Sequence, residues 1–126
     1  LFEKLAAAGY DPAIKTIFLW EGVTLYLPED AVRQTMSQVR AHAAPRSVLL
    51  TDIYADRFIK MGKSAAGAKA LDYTGEGVGF GLPFARDHEA VLRTFVEGEG
   101  LSVGESFFLG SAGDKGPFSV VVEMVV

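Results

Sequence analysis

Cysteine is absent from the 126-residue chain, which excludes disulfide scaffolds, thiolate metal sites and cysteine nucleophiles. Basic residues are few: 12 Lys and Arg against 16 Asp and Glu leave a net charge of −4. Phosphate-backbone binding depends on clustered positive charge, so nucleic acid is not an expected partner. No run approaches the ~20 apolar residues of a membrane span. Residues 1–8 lack the basic start and long apolar stretch of a secretory signal. The expectation is a soluble, cytoplasmic protein. Histidine occurs only twice, at 42 and 88, without spaced carboxylates that would complete a metal site. His42 reads as a helix C-terminal residue, and His88 as a neutral, exposed residue in a helix's first turn.

Hydrophobic residues at 49% and charged residues at 22% are ordinary globular usage, which excludes disordered, collagen-like and coiled-coil chains. The length fits one domain or a piece of one. Leu1–Ala8 is rich in helix formers, with Gly9 suited to end the helix and Pro12 blocking its continuation. No start signal precedes that helix, so the expectation is a partial domain spanning residues 1–126.

Thr16–Trp20 is a short β-branched and aromatic run with apolar residues of both parities. It predicts a strand buried on both faces, as in a parallel sheet. Pro28 suits a first helical position, Glu29 and Asp30 favour the positive end of the dipole, and Val32, Met36 and Val39 form an i, i+4, i+7 stripe. Pro45 closes that helix. Ser47–Tyr54 predicts a second buried strand. Asp56–Ala70 predicts a helix, and Tyr73–Pro83, with glycines at 75, 77, 79 and 81, a loop. Asp87 can cap a helix running to about Val96, with Val91, Leu92, Phe95 and Val96 on its apolar side. Leu101–Leu109 and Phe118–Val126 predict two strands separated by a turn. Strands alternating with helices imply right-handed crossovers and a mostly parallel sheet covered on both faces, with the last two strands pairing as an antiparallel hairpin.

Several chemical motifs fail on their spacing. A phosphate-binding loop ending at Gly62-Lys63-Ser64 needs a glycine where Arg57 stands. The glycines at 75 and 77 lack the third glycine of a dinucleotide loop, since residue 80 is Phe. Gly-x-Ser-x-Gly is absent.

The informative segment runs from Gly9 to Pro28. Ligands of open α/β sheets sit outside the carboxyl ends of the parallel strands, and Glu21 follows a strand directly. Gly22 gives the backbone room to turn or to approach a ligand. Trp20 and Tyr26 place aromatic surface nearby, and a carboxylate with aromatic faces suits a cationic ligand. The same residues are also compatible with a solvated acid in an ordinary strand-to-helix loop.

Phe18-Leu19-Trp20-Glu21-Gly22-Val23-Thr24-Leu25-Tyr26-Leu27-Pro28 resembles the W-E-G-V-T-x-Y-L signature of the leucine carboxyl methyltransferase-like family, and within it the provisionally assigned bacterial S-adenosylmethionine-dependent O-methyltransferases. Gly9-Tyr10-Asp11-Pro12 and the downstream order of elements are similar as well. The resemblance implies an α/β fold: the C-terminal half of a class I, Rossmann-like methyltransferase sheet, mostly parallel, with an antiparallel last strand. It implies S-adenosyl-L-methionine as cofactor, with Glu21, Gly22 and Trp20 on the cofactor side and Glu21 near the methionine amino group. It places Tyr26, Asp52, Tyr54 and Arg57 on the side of a small-molecule methyl acceptor. It also implies that the glycine-rich cofactor loop belongs to an N-terminal half, so that this chain alone binds the cofactor weakly or not at all. A non-catalytic α/β binding or assembly module is the alternative. A strand at 16–20 lacking its family neighbour would expose an apolar edge, and such edges invite pairing between chains.

Overall fold

The computed structural model describes residues 1–62, 79–110 and 113–126. The expected helix beyond residue 62, the glycine loop over 73–78, and residues 111–112 of the last turn fall outside the described residues.

Helix α1, Phe2–Ala7, ends as its sequence predicts. Gly9 takes φ +95°. Its N–H donates to the Ala6 carbonyl at 3.0 Å, while that of Tyr10 donates to Leu5 at 2.9 Å. Those two bonds satisfy carbonyls that the helix itself leaves open. Strand β1 is Ile17–Trp20. Helix α2, Glu29–His42, starts one residue later than expected: Pro28 occupies the N-cap, with ψ 152°, rather than the first helical position. Strand β2 is Val48–Tyr54 and helix α3 is Asp56–Gly62. Helix α4, His88–Gly98, follows Asp87, whose side chain makes no capping hydrogen bond. Strands β3, Ser102–Leu109, and β4, Ser119–Val125, complete the sheet.

The sheet order is β1-β2-β4-β3. Strands β1 and β2 are parallel, with Phe18 opposite Leu49 and Trp20 opposite Thr51. Strand β4 inserts between β2 and β3 and runs antiparallel to both. Among the described strands the last is therefore the only antiparallel one, and the expected β3–β4 hairpin pairing is present.

One face of the sheet carries the core. Leu49, Ile53, Val120, Val122 and Met124 meet Val32, Met36 and Val39 of α2 and Leu92, Phe95 and Val96 of α4. The C-terminal end of α4 is clamped to the middle of α2, because Glu99 accepts from Arg33 at 3.0 Å and from Ser37 at 2.6 Å. The expectation of helices on both faces is not met among the described residues. Ile17 and Leu19 are 70% and 68% exposed, and Phe107, Leu109 and Val121 are exposed on the same side. The doubly apolar pattern of β1 reports what that strand tolerates on each face, and the described chain supplies a cover for only one of them.

His42 packs on Phe2, with ring centroids 4.9 Å apart. His88 is half-buried rather than exposed. Its ring lies edge-on to Phe108 at 4.5 Å, with Nδ1 3.0 Å from the Ala85 carbonyl. Among the described residues no group of His, Asp and Glu could hold a metal ion, and no helix is long and apolar enough to cross a membrane.

Candidate active site at the strand carboxyl ends

Where β1 stops, the chain turns at Glu21-Gly22 and enters a single 3-10 turn, Thr24–Tyr26, before α2. Gly22 has φ +68°, a left-handed conformation that costs glycine little. On the uncovered face, Glu21 lines a cavity of about 390 Å³ with Leu19, Asp52, Tyr54, Ser119 and Val121. Asp52 and Tyr54 share this face because they are two residues apart on β2.

The structure thus brings together Glu21, Asp52 and Tyr54 of the expected site. Glu21 is exposed and forms no hydrogen bond or ion pair with the protein among the described residues. Asp52 is engaged at both oxygens: Oδ1 accepts the Gly22 N–H at 2.9 Å and Oδ2 accepts the Tyr54 hydroxyl at 3.1 Å. The Tyr54 ring stacks on Phe58 at 5.2 Å. Burial, and then the adjacent Asp52 carboxylate, push the Tyr54 phenol above its ordinary value. Both effects disfavour the phenolate. Tyr26 is close enough to add a smaller effect of the same sign, as is Glu21.

Two expected residues lie elsewhere. Trp20 is directed to the helix-covered face, where it lines a separate apolar groove with Phe18, Leu27 and Val39. A strand's alternation sends adjacent side chains to opposite faces, which separates Trp20 from the Leu19–Glu21 side. Arg57 is turned away from the cavity. Its guanidinium donates to the carbonyls of Gly116 at 2.9 Å, of Phe84 at 3.3 Å, and of Lys115. It fastens the start of α3 to the segment before β4.

Two residues of the site escape a reading by motif. Thr24 and Thr51 are almost fully buried. The Thr51 hydroxyl donates to the Trp20 carbonyl at 2.7 Å, and that of Thr24 to the Asp52 carbonyl at 2.8 Å. The available signal was parity: Thr51 falls between Leu49 and Ile53 on the core-facing side, where a hydroxyl needs an acceptor.

The described strands form a mixed α/β sheet in the order β1-β2-β4-β3 with a cavity at the carboxyl ends of its parallel strands, an arrangement that fits part of a Rossmann-like sheet. The family model for leucine carboxyl methyltransferase matches residues 1–40. A provisionally named S-adenosyl-L-methionine-dependent methyltransferase of Frankia alni is 41% identical over 76 residues, 57% of this chain and 26% of the relative. One from Streptomyces avermitilis, named in the same provisional way, is 46% identical over 43 residues, 34% of this chain and 15% of the relative. The matched stretches therefore span only about a quarter or less of those relatives. The crystal structure of magnesium protoporphyrin IX methyltransferase from Synechocystis PCC 6803 with bound SAH aligns with a TM-score of 0.49 at 16% identity, covering 94% of this chain and 47% of that one.

Proposed function

We propose that the chain serves as the C-terminal half of a cytoplasmic S-adenosyl-L-methionine-dependent methyltransferase that acts on an oxygen or carboxylate of a small molecule. The observation carrying this reading is Glu21. It lies in the family-matched segment, at the carboxyl end of β1, with a carboxylate that no protein group occupies among the described residues. An exposed, unpaired carboxylate suits the ammonium of the cofactor's methionine moiety, since charge-assisted hydrogen bonds are the strong ones. The cofactor, when bound, supplies a methyl group on a sulfonium. The protein's task in such a transfer is alignment of the acceptor. Gly22 lets the backbone approach, and Tyr26 and Tyr54 offer polar and aromatic contacts to the acceptor. Trp20, on the opposite face, would act only through the β1 backbone.

The test is calorimetry with S-adenosylhomocysteine. In the complete encoded protein, Glu21→Ala is expected to weaken binding by about 1.5–3 kcal/mol, as for a hydrogen bond to a charged group. The 126-residue chain alone is expected to bind weakly. Unchanged affinity in the Glu21→Ala protein would remove Glu21 from the site.

The exposed sheet edge favours a second reading, an assembly module. Among the described residues β1 pairs only with β2, and Ile17 and Leu19 lie bare beside that free edge. Unpaired strand edges template pairing with another chain, and a lysine there blocks it. The chain is expected to sediment as dimers or larger species, and Leu19→Lys to shift it toward monomer. A wild-type chain that stays monomeric as its concentration rises would count against self-association.

A further inference from the structure

Among the described residues no side-chain bond holds Glu21, so its placement depends on the backbone at its two flanks. On one side the Trp20 carbonyl accepts the Thr51 hydroxyl at 2.7 Å. On the other, the Gly22 N–H donates to Asp52 Oδ1 at 2.9 Å. Two residues further on, Thr24 is bonded to the Asp52 main-chain carbonyl at 2.8 Å. The turn is thus laced to the end of β2 at each alternate residue, and Asp52 supplies two of the three ties. Its second carboxylate oxygen is taken by the Tyr54 hydroxyl at 3.1 Å, which fixes the carboxylate's rotation.

We propose that Asp52 is the positioning residue of the Glu21 site: its carboxylate holds the Gly22 turn, and through it the Glu21 carboxylate, instead of meeting the methyl acceptor. The ligand part of this inference rests on the proposed cofactor role of Glu21, whereas the tie itself does not. One donor on each oxygen orients the Asp52 carboxylate toward the turn and β2, and losing it frees an exposed left-handed turn that has no other side-chain anchor at Gly22 among the described residues.

Amide exchange at Gly22, followed by NMR in the 126-residue chain, tests the tie. Asp52→Ala is expected to accelerate Gly22 exchange at least tenfold. Asp52→Asn, which keeps an acceptor oxygen, should retain most of the protection, and Tyr54→Phe should change it little. Asp52→Asn should also lower the ultraviolet-monitored ionisation midpoint of Tyr54, because a negative neighbour has been removed. Unchanged Gly22 exchange in both Asp52 variants would overturn the proposal.

Binding of S-adenosylhomocysteine to the complete encoded protein separates positioning from contact. If Asp52 acts through Glu21, Asp52→Ala weakens binding in the wild-type background but adds less than twofold in a Glu21→Ala background. Equal loss in both backgrounds would make Asp52 a direct ligand contact and overturn the positioning role. If Glu21→Ala has no effect, the cofactor reading of Glu21 falls, and the Gly22 exchange rates still decide whether Asp52 holds the turn.

Discussion

Met36→Ala is expected to destabilise the chain by about 2–5 kcal/mol, the range for deleting a fully buried large aliphatic side chain. Met36 is the middle residue of the α2 stripe and has no exposed surface. It belongs to the single cluster in which α2, α4 and the covered sheet face meet. The described core is one-sided, because the opposite face carries exposed Ile17, Leu19 and Phe107. A loss of that size is a large part of the 5–15 kcal/mol typical of a whole domain. Urea unfolding measures it as a lower midpoint at unchanged slope. Met36→Leu, which nearly conserves volume, should cost less than about 1.5 kcal/mol. Equal stability of the alanine and wild-type chains would mean that α2 does not pack on the sheet as described.

The α2 stripe was legible because helical spacing repeats within a dozen residues: Val32, Met36 and Val39 needed no knowledge of their partners. The strands were legible from their β-branched runs, and the ends shifted by a residue or so because a run of side chains does not say where hydrogen bonding stops. Insertion of β4 between β2 and β3 was not legible from periodicity. The β3–β4 hairpin is local, but the β2–β4 pairing joins residues such as Asp52 and Val121 across most of the chain. The family resemblance implied an antiparallel last strand and left its place in the order open.

The site divides along the same physical line. Glu21 was readable as the first polar residue beyond a strand, whereas Asp52 and Tyr54 were placed by the family resemblance, and their shared face follows from their equal parity on β2. Trp20 was grouped with Glu21 by sequence adjacency, although adjacency on a strand separates side chains. Arg57 was placed with Tyr54 by the family resemblance alone. Its partners, the carbonyls of Phe84, Lys115 and Gly116, are 27 to 59 residues away, and no local pattern encodes them.

Gly116→Ala carries the other large expected effect, and it bears on Arg57. Gly116 has φ +69°, where a residue with a Cβ costs about 1–2 kcal/mol. An added Cβ would lie 2.8 Å from the Cα and carbonyl carbon of Ala85, and closer still to its oxygen. The obstacle is backbone, so no rotamer relieves it, and forced overpacking typically costs about 1–3 kcal/mol. Together these place the loss at about 2–5 kcal/mol, read as a drop in the urea midpoint. The displaced backbone is the same that Arg57 grips, since the Gly116 carbonyl accepts its guanidinium at 2.9 Å. Arg57→Ala should therefore destabilise the chain on its own, by about 1.5–3 kcal/mol for lost bonds to a charged donor and toward the lower end because the group is partly exposed. The double variant should lose less than the two singles combined, because both act on one contact. Wild-type stability in Arg57→Ala, coupled with lost methyl transfer in the complete encoded protein, would return Arg57 to the acceptor side. Wild-type stability in Gly116→Ala would mean that the segment before β4 does not pass against Ala85.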